Sequence, residues 1–369
     1  MGIVIGECAG AQLISIILSL KQITGQIIFF LVPLIILGFV APSIAQLQSN
    51  ASRIILFAFG IAYLSSVGAA GFGFGLSYWV VPMLNIQSSV GSAIALPDML
   101  FQLDIPPVMS VISALFLAVF LGLGTAWTQA DLMERLLQQF QQIVLKLVTY
   151  ILLPILPIFV AANFAILAYQ GDIARFTIFL PVILIVILCH YIWLALLYGV
   201  ASLYAGKNGW HVLRHYGPAY FTALGTMSSA ATLGVALDCA HKSKLLDNKV
   251  TDFSVPLFAN IHLCGSVLTE VFFIAVTSQL LYGHMPTLGT FILFILLLGI
   301  FAIGAPGVPG GTVLASLGLV VSIIGFDDAG TALLITIFAL QDSFGTACNV
   351  TGDGALTLMV QTFEQHKKQ

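Results

Sequence analysis

The chain has 369 residues, a formal net charge of −3, 59% hydrophobic and 7% charged side chains, and a mean hydropathy of +1.07. Soluble domains carry about 25% charged residues, so the composition excludes an ordinary water-soluble domain, and the slight acidity offers no footing for nucleic acid. Long apolar runs with short polar breaks read as an all-α polytopic membrane protein, whereas a barrel would show short alternating segments.

The first run, residues 3–20, is short, contains Gly and Ala, and reads as the tail of a spanning helix. No basic stretch precedes it, so no cleavable signal is expected. Runs follow at 24–45, 53–84, 108–128, 141–170 and 175–205, each long enough to cross about 30 Å of hydrocarbon. The prolines of "LLPILPIF" predict a kinked span. Residues 85–107 form a polar, Pro-containing linker without Lys or Arg. Cys8, Cys189, Cys239, Cys264 and Cys348 have neither metal nor disulfide spacing and read as small interior residues. His190, alone in an apolar run, reads as a hydrogen-bonded interior histidine.

From residue 206 the pattern changes. Residues 210–241 are broken by "TMSSAATLG", 252–281 by "NIHLCGS" and 287–325 by "GAPGVPGG". Irregular backbone at membrane depth persists only where protein or water satisfies it, and paired Gly/Pro-interrupted segments mark transporter binding sites. If the two flanking broken segments are re-entrant hairpins, one from each side, then Arg53, Arg135, Lys146, Lys207, Arg214, Lys242, Lys244, Lys249, Lys367 and Lys368 share one side and only Lys21 and Arg175 the other. That bias makes the first side, with the C-terminus, cytoplasmic.

The final run carries a polar stripe. At about 100° per residue, Asp342, Thr346, Asn349 and Asp353 fall on one helix face with Gly345 beside them. An Asp at the centre of a membrane helix costs roughly 2.5–3.5 kcal/mol on insertion scales, so the stripe demands a polar interior partner. Either it locks helices through hydrogen bonds or it binds a solute and ions, and intramembrane ionisable groups favour the second.

"QDSFGTACNVTGD", "TMSSAATL", "GAPGVPGG" and "NIHLCGS" resemble, in order and spacing over residues 205–362, the last helix, the two hairpin tips and the unwound helix of the dicarboxylate/amino acid:cation symporters, the glutamate-transporter family. The resemblance implies about eight transmembrane helices plus two re-entrant hairpins in an elevator fold, assembled as a homotrimer in the lipid bilayer, with a bacterial inner membrane as the expected location. It divides the chain into 1–84, scaffold helices with part of the transport domain; 85–205, scaffold and trimerisation helices; and 206–369, the transport core. It implies a small amino acid as substrate, its ammonium on Asp342, with Thr346, Asn349, Ser228, Ser229, Ser266, Gly345 and the backbone of Met227 and Val308 completing the pocket. Asn349, Asp353, His262 and Cys264 fall at the coupling-ion site, with sodium at Asn349 and Asp353. No other cofactor is implied.

Two departures shape the expectation. Acidic-substrate members carry an arginine where this chain has Gly345 or Met227, and no Lys or Arg occurs between Lys249 and Lys367. An unpaired second carboxylate would be costly in a closed site, so a neutral amino acid is expected, with Gly345 enlarging the pocket. His262 and Cys264 replace oxygen ligands, so proton exchange between His262 and Asp353, a reduced sodium site and uncoupled transport all stay open. The runner-up is the family's usual sodium-coupled dicarboxylate or acidic amino acid symport. A channel is a further alternative. An intramembrane aspartyl protease is remote, because Asp342 and Asp353 lie about 16 Å apart by helical rise, too far for a shared proton.

Overall fold

The computed structural model describes residues 2–49, 53–84, 96–170, 179–305 and 307–368. Every regular element among them is helical, the arrangement that satisfies backbone groups within hydrocarbon. Among the described residues six helical stretches are long and apolar enough to cross a membrane, accompanied by shorter apolar helices at Ser113–Thr128, Leu288–Gly304 and Gly311–Ile324.

The N-terminal boundaries differ from those expected. A short α1 (Gly2–Cys8) gives way at Ala9–Gly10 to one continuous α2 (Ala11–Ser49). The predicted break near residue 21 is absent. Lys21 and Gln22 end an apolar run but are good helix formers, and Gln22 and Gln26 accept backbone N–H groups of Leu103 and Ile105 at 3.1 and 3.2 Å. α3 (Arg53–Met83) and α4 (Val111–Thr128) follow closely their predicted runs. α5 (Asp131–Leu147) begins earlier than predicted because its first turns are amphipathic, which an apolar-run search passes over.

A π turn at Val148–Leu152 joins α5 to α6 (Leu153–Tyr169). This is where "LLPILPIF" predicts a kink. Pro154 has no N–H, and a proline ring crowds the carbonyl four residues earlier; a widened turn relieves that conflict. α7 (Phe179–Ala205) completes this half. Arg175, residues 85–95 of the linker and Pro306 of the last broken segment lie outside the described residues.

Each of the three later breaks interrupts a pair of helices. A short α8 (Trp210–Leu213) precedes α9 (Gly217–Thr226), which ends on Met227 at φ 51°. Ser228 then caps α10 (Ser229–His241). α11 (Asn248–Ile261) ends at His262, and α12 (Cys264–Tyr282) starts two residues later. α13 (Leu288–Gly304) and α14 (Gly311–Leu319) flank the Gly/Pro segment, and a second π turn spans Val320–Ile324. α15 (Asp328–Lys368) closes the chain.

α12 is buried nearly throughout, from Cys264 to Ser278, as befits a helix apolar on all sides. It packs against α3 and α15, while α15 also meets α7, α9 and α11. α2 packs on α4, α5 and α6. The polar stripe of α15 therefore faces a wall made by helix ends.

Candidate functional site

Asp342, Thr346, Asn349 and Asp353 are each at most 4% exposed. Three of these side chains meet two of the breaks, Asp342 the Gly/Pro segment and Asn349 and Asp353 the break between α11 and α12. Asp342 Oδ2 accepts the Gly310 N–H at 2.6 Å, with Gly310 at φ +70°, a conformation that suits glycine. The two hairpin tips are tied directly. Ser228 Oγ donates to the Gly307 carbonyl at 2.6 Å, the Ala230 N–H reaches the same oxygen at 3.4 Å, and Ser228 Oγ accepts the Ala231 N–H at 3.2 Å. Met227 and Val308 lie half-buried at these tips, and Ser229 is buried next to Ser228.

Two turns further along, Asn349 caps α12. Its Oδ1 accepts the N–H groups of Gly265 and Ser266 at 2.7 and 3.2 Å, and its Nδ2 donates to Ser266 Oγ at 2.9 Å. These are orphan donors of a helix start, satisfied from a neighbouring helix. Gly345 does not enlarge the pocket as expected. A Cβ there would lie 3.2 Å from Ser266 Cα, and a Cβ on Gly265 would lie 2.5 Å from the Gly345 carbonyl oxygen. The two glycines let α12 and α15 approach closely, as small residues do in membrane bundles.

The third contact is His262 with Asp353. Nδ1 stands 2.8 Å from Asp353 Oδ1, and Nε2 stands 2.9 Å from Ser65 Oγ on α3. A neutral imidazole donating from Nδ1 accepts the serine hydroxyl at Nε2. His262 is fully buried and Asp353 is 1% exposed. Cys264 touches both His262 and Cys348. An oxygen of each residue expected to hold sodium, Asn349 and Asp353, is thus already bonded within the protein. Among the described residues no group of three or more His, Cys, Asp or Glu side chains is placed to hold a metal ion. The two aspartates bond to different partners rather than to each other.

Elsewhere the interior reading holds in part. His190 Nε2 meets the Gly265 carbonyl and Thr269 Oγ1 at 3.1 and 2.9 Å, while Nδ1 has no partner. Four cysteines are buried, but Cys8 is exposed because it lies at the end of the short α1.

Two functional candidates escaped the sequence. Ser65 is a hydroxyl in a Gly- and Ala-rich helix, with no local signal to mark it. Glu270 had one: it is a carboxylate inside an apolar helix, four residues after Ser266 and so on the same face. It is fully buried, Oε1 accepts the Ser316 hydroxyl, and Oε2 has no partner.

The sequence profile described as the sodium:dicarboxylate symporter family matches residues 1–363. The chain belongs to this family. Among its relatives, the human excitatory amino acid transporter 2 is 28% identical over 243 residues, covering 64% of this chain and 42% of the relative. Excitatory amino acid transporter 1 of Ambystoma tigrinum is 27% identical over 283 residues, covering 73% of this chain and 50% of the relative. An excitatory amino acid transporter of Caenorhabditis elegans is 31% identical over 147 residues, covering 40% and 29%. The matched part of the chain spans half or less of each of these relatives. The family is one of membrane symporters, and the multi-pass helical architecture accords with it.

Proposed function

We propose that the chain moves a small amino acid or dicarboxylate across the membrane as a cation-coupled symporter, with sodium as the coupling ion. Family membership supports both the solute class and the ion, and the relatives' names support an acidic amino acid. The observation that carries the site is Asp342, a buried carboxylate on α15 in contact with a hairpin tip. Asp342 takes the solute ammonium, as a carboxylate suits an amine. Backbone N–H groups at the tips suit a carboxylate, with Ser228, Ser229, Ser266, Thr346 and the backbone of Met227 and Val308 around it. Asn349 holds Ser266 in place.

In this reading residues 206–369 form the mobile core and travel as an elevator against a trimeric scaffold, with the C-terminus cytoplasmic. The packing of α3 on α12 and α13 supports its grouping with the core, and α2, which packs on α4, α5 and α6, meets α13 and α14 where the scaffold would face the core.

A second reading has its own support. The stretch between Lys249 and Lys367 offers no cation for a second carboxylate, and His262 occupies Asp353. These favour a neutral amino acid with a proton as the coupling ion.

Uptake of radiolabelled L-aspartate and L-alanine into proteoliposomes separates the two, under an inward sodium gradient, an inward proton gradient or neither. Sodium-driven aspartate uptake supports the first reading, and proton-driven alanine uptake the second. No saturable uptake of either solute under any gradient would overturn both.

A further inference from the structure

A cavity of about 330 Å³ lies between α6, the second hairpin and α15. Leu156, Met227, Val313, Ile335 and Phe338 contribute to its walls, and the one ionisable side chain lining it is Asp342. We propose that this cavity is a subsite for an apolar side chain of the transported amino acid, whose ammonium rests on Asp342.

The spacing on α15 carries the argument. Ile335, Phe338 and Asp342 stand three and four residues apart, so they share the face that continues through Thr346, Asn349 and Asp353. Where it lines the cavity, this face is apolar at Ile335 and Phe338 and polar from Asp342 onward. An amino acid with an apolar side chain divides the same way, with its charged groups at one end. Val313, Ile335 and Phe338 are each at most 1% exposed, while Pro157 and Leu340 on the same lining are exposed, so the cavity has a buried floor and opens at the surface on one side. A volume of this size falls at the lower end of the roughly 300–1,000 Å³ typical of small-molecule pockets. It exceeds what a methyl group fills. A second carboxylate placed here would meet no cation and would be left unpaired. Met227, at the first hairpin tip, and Val313, in the first turn of α14, both line the cavity.

The proposal deepens the neutral-solute reading and rests on Asp342 as the ammonium site. It is tested on the purified full chain in proteoliposomes by competition against the best-transported amino acid. L-leucine, L-phenylalanine, L-alanine, L-aspartate and octanoate serve as competitors, with Val313→Phe, Val313→Ala and Asp342→Asn as variants. Leucine or phenylalanine is expected to compete better than alanine. One methylene in a hydrophobic pocket is worth roughly 10–200-fold in discrimination, so Val313→Phe is expected to shift the phenylalanine-to-alanine ratio about tenfold or more toward alanine. Because the ratio is taken within each variant, partial loss of folded protein does not affect it. If Val313→Phe does not fold, Val313→Ala must shift the ratio toward the larger side chain.

Loss of all competition in Asp342→Asn, with an unchanged ratio in the Val313 variants, would overturn the subsite and leave the ammonium site standing. Unchanged competition in Asp342→Asn would overturn the ammonium site and the subsite with it. Octanoate competing as well as leucine would also overturn the subsite, since an alkyl chain alone would then suffice.

Discussion

His262 Nδ1 lies 2.8 Å from Asp353 Oδ1, and its other ring nitrogen lies 2.9 Å from Ser65 Oγ, so one imidazole bridges α3 and α15 from the break between α11 and α12. Removing it would leave a buried carboxylate without its partner. Leaving a buried hydrogen-bonding group without its partner costs about 1–3 kcal/mol, and more for a charged one. His262→Ala is therefore expected to lower the thermal unfolding temperature strongly in sodium-free buffer. His262→Asn supplies an oxygen ligand in its place, and its stability is expected to rise with added sodium more than that of the parent. Equal sodium responses would show that His262 does not compete with the ion.

Asn349 caps α12 with three hydrogen bonds. Losing a cap costs about 0.5–2 kcal/mol. Asn349→Ala is expected to destabilise the ligand-free protein by about that amount, measured by unfolding without any solute. A residue that only contacts solute would leave the ligand-free protein unchanged.

Gly345 separates two explanations of a missing side chain. A Cβ at this position would sit 3.2 Å from Ser266 Cα. Overpacking of a tight interior costs about 1–3 kcal/mol. Gly345→Val is expected to lower stability in this range and to loosen the α12–α15 junction, whereas an open pocket would accept valine without loss. Unfolding curves of the Ala and Val variants side by side decide between them.

Asp327 sits at the start of α15, where Oδ1 accepts the Gly330 N–H at 2.9 Å and the Tyr282 hydroxyl at 2.7 Å. The Gly330 N–H above all, with the Tyr282 hydroxyl, holds its carboxyl below the usual range. A depressed folded-state pKa contributes stability that is present above the unfolded value, about 3.9, and is lost as pH falls through the folded value. Asp327→Asn is expected to be less stable than the parent at pH 7, with the gap closing as pH drops below about 4. A gap independent of pH would assign the effect to the shape of the cap rather than to its charge.

How much of this was legible depended on whether a signal was local. The α15 stripe was readable because helical geometry places Asp342, Asn349 and Asp353 on one face whatever surrounds them. The breaks at Ser228, His262 and Gly310 were readable because their residues interrupt helices in apolar runs. The start of α2 was misplaced because Lys21 changes hydropathy without changing backbone preference. Gly345 was misread because a missing side chain looks the same whether it makes room or allows contact. Ser65 was out of reach: its partner is 197 positions away, and nothing near it differs from any other serine in a packed helix. Glu270 was within reach and was passed over beside the stronger α15 pattern.

The Asp342–Gly310 contact makes one carboxylate a bolt and, in the proposed function, a receptor as well. Its Oδ2 oxygen fastens the second hairpin, and Ser228 fastens the first hairpin to the second through Gly307. A carboxylate offers about four lone-pair sites, so an amine arriving at Asp342 would share the anion with the Gly310 N–H. In that function the solute and the second hairpin are held by one anion, so a cation bound there loosens the grip on the hairpin.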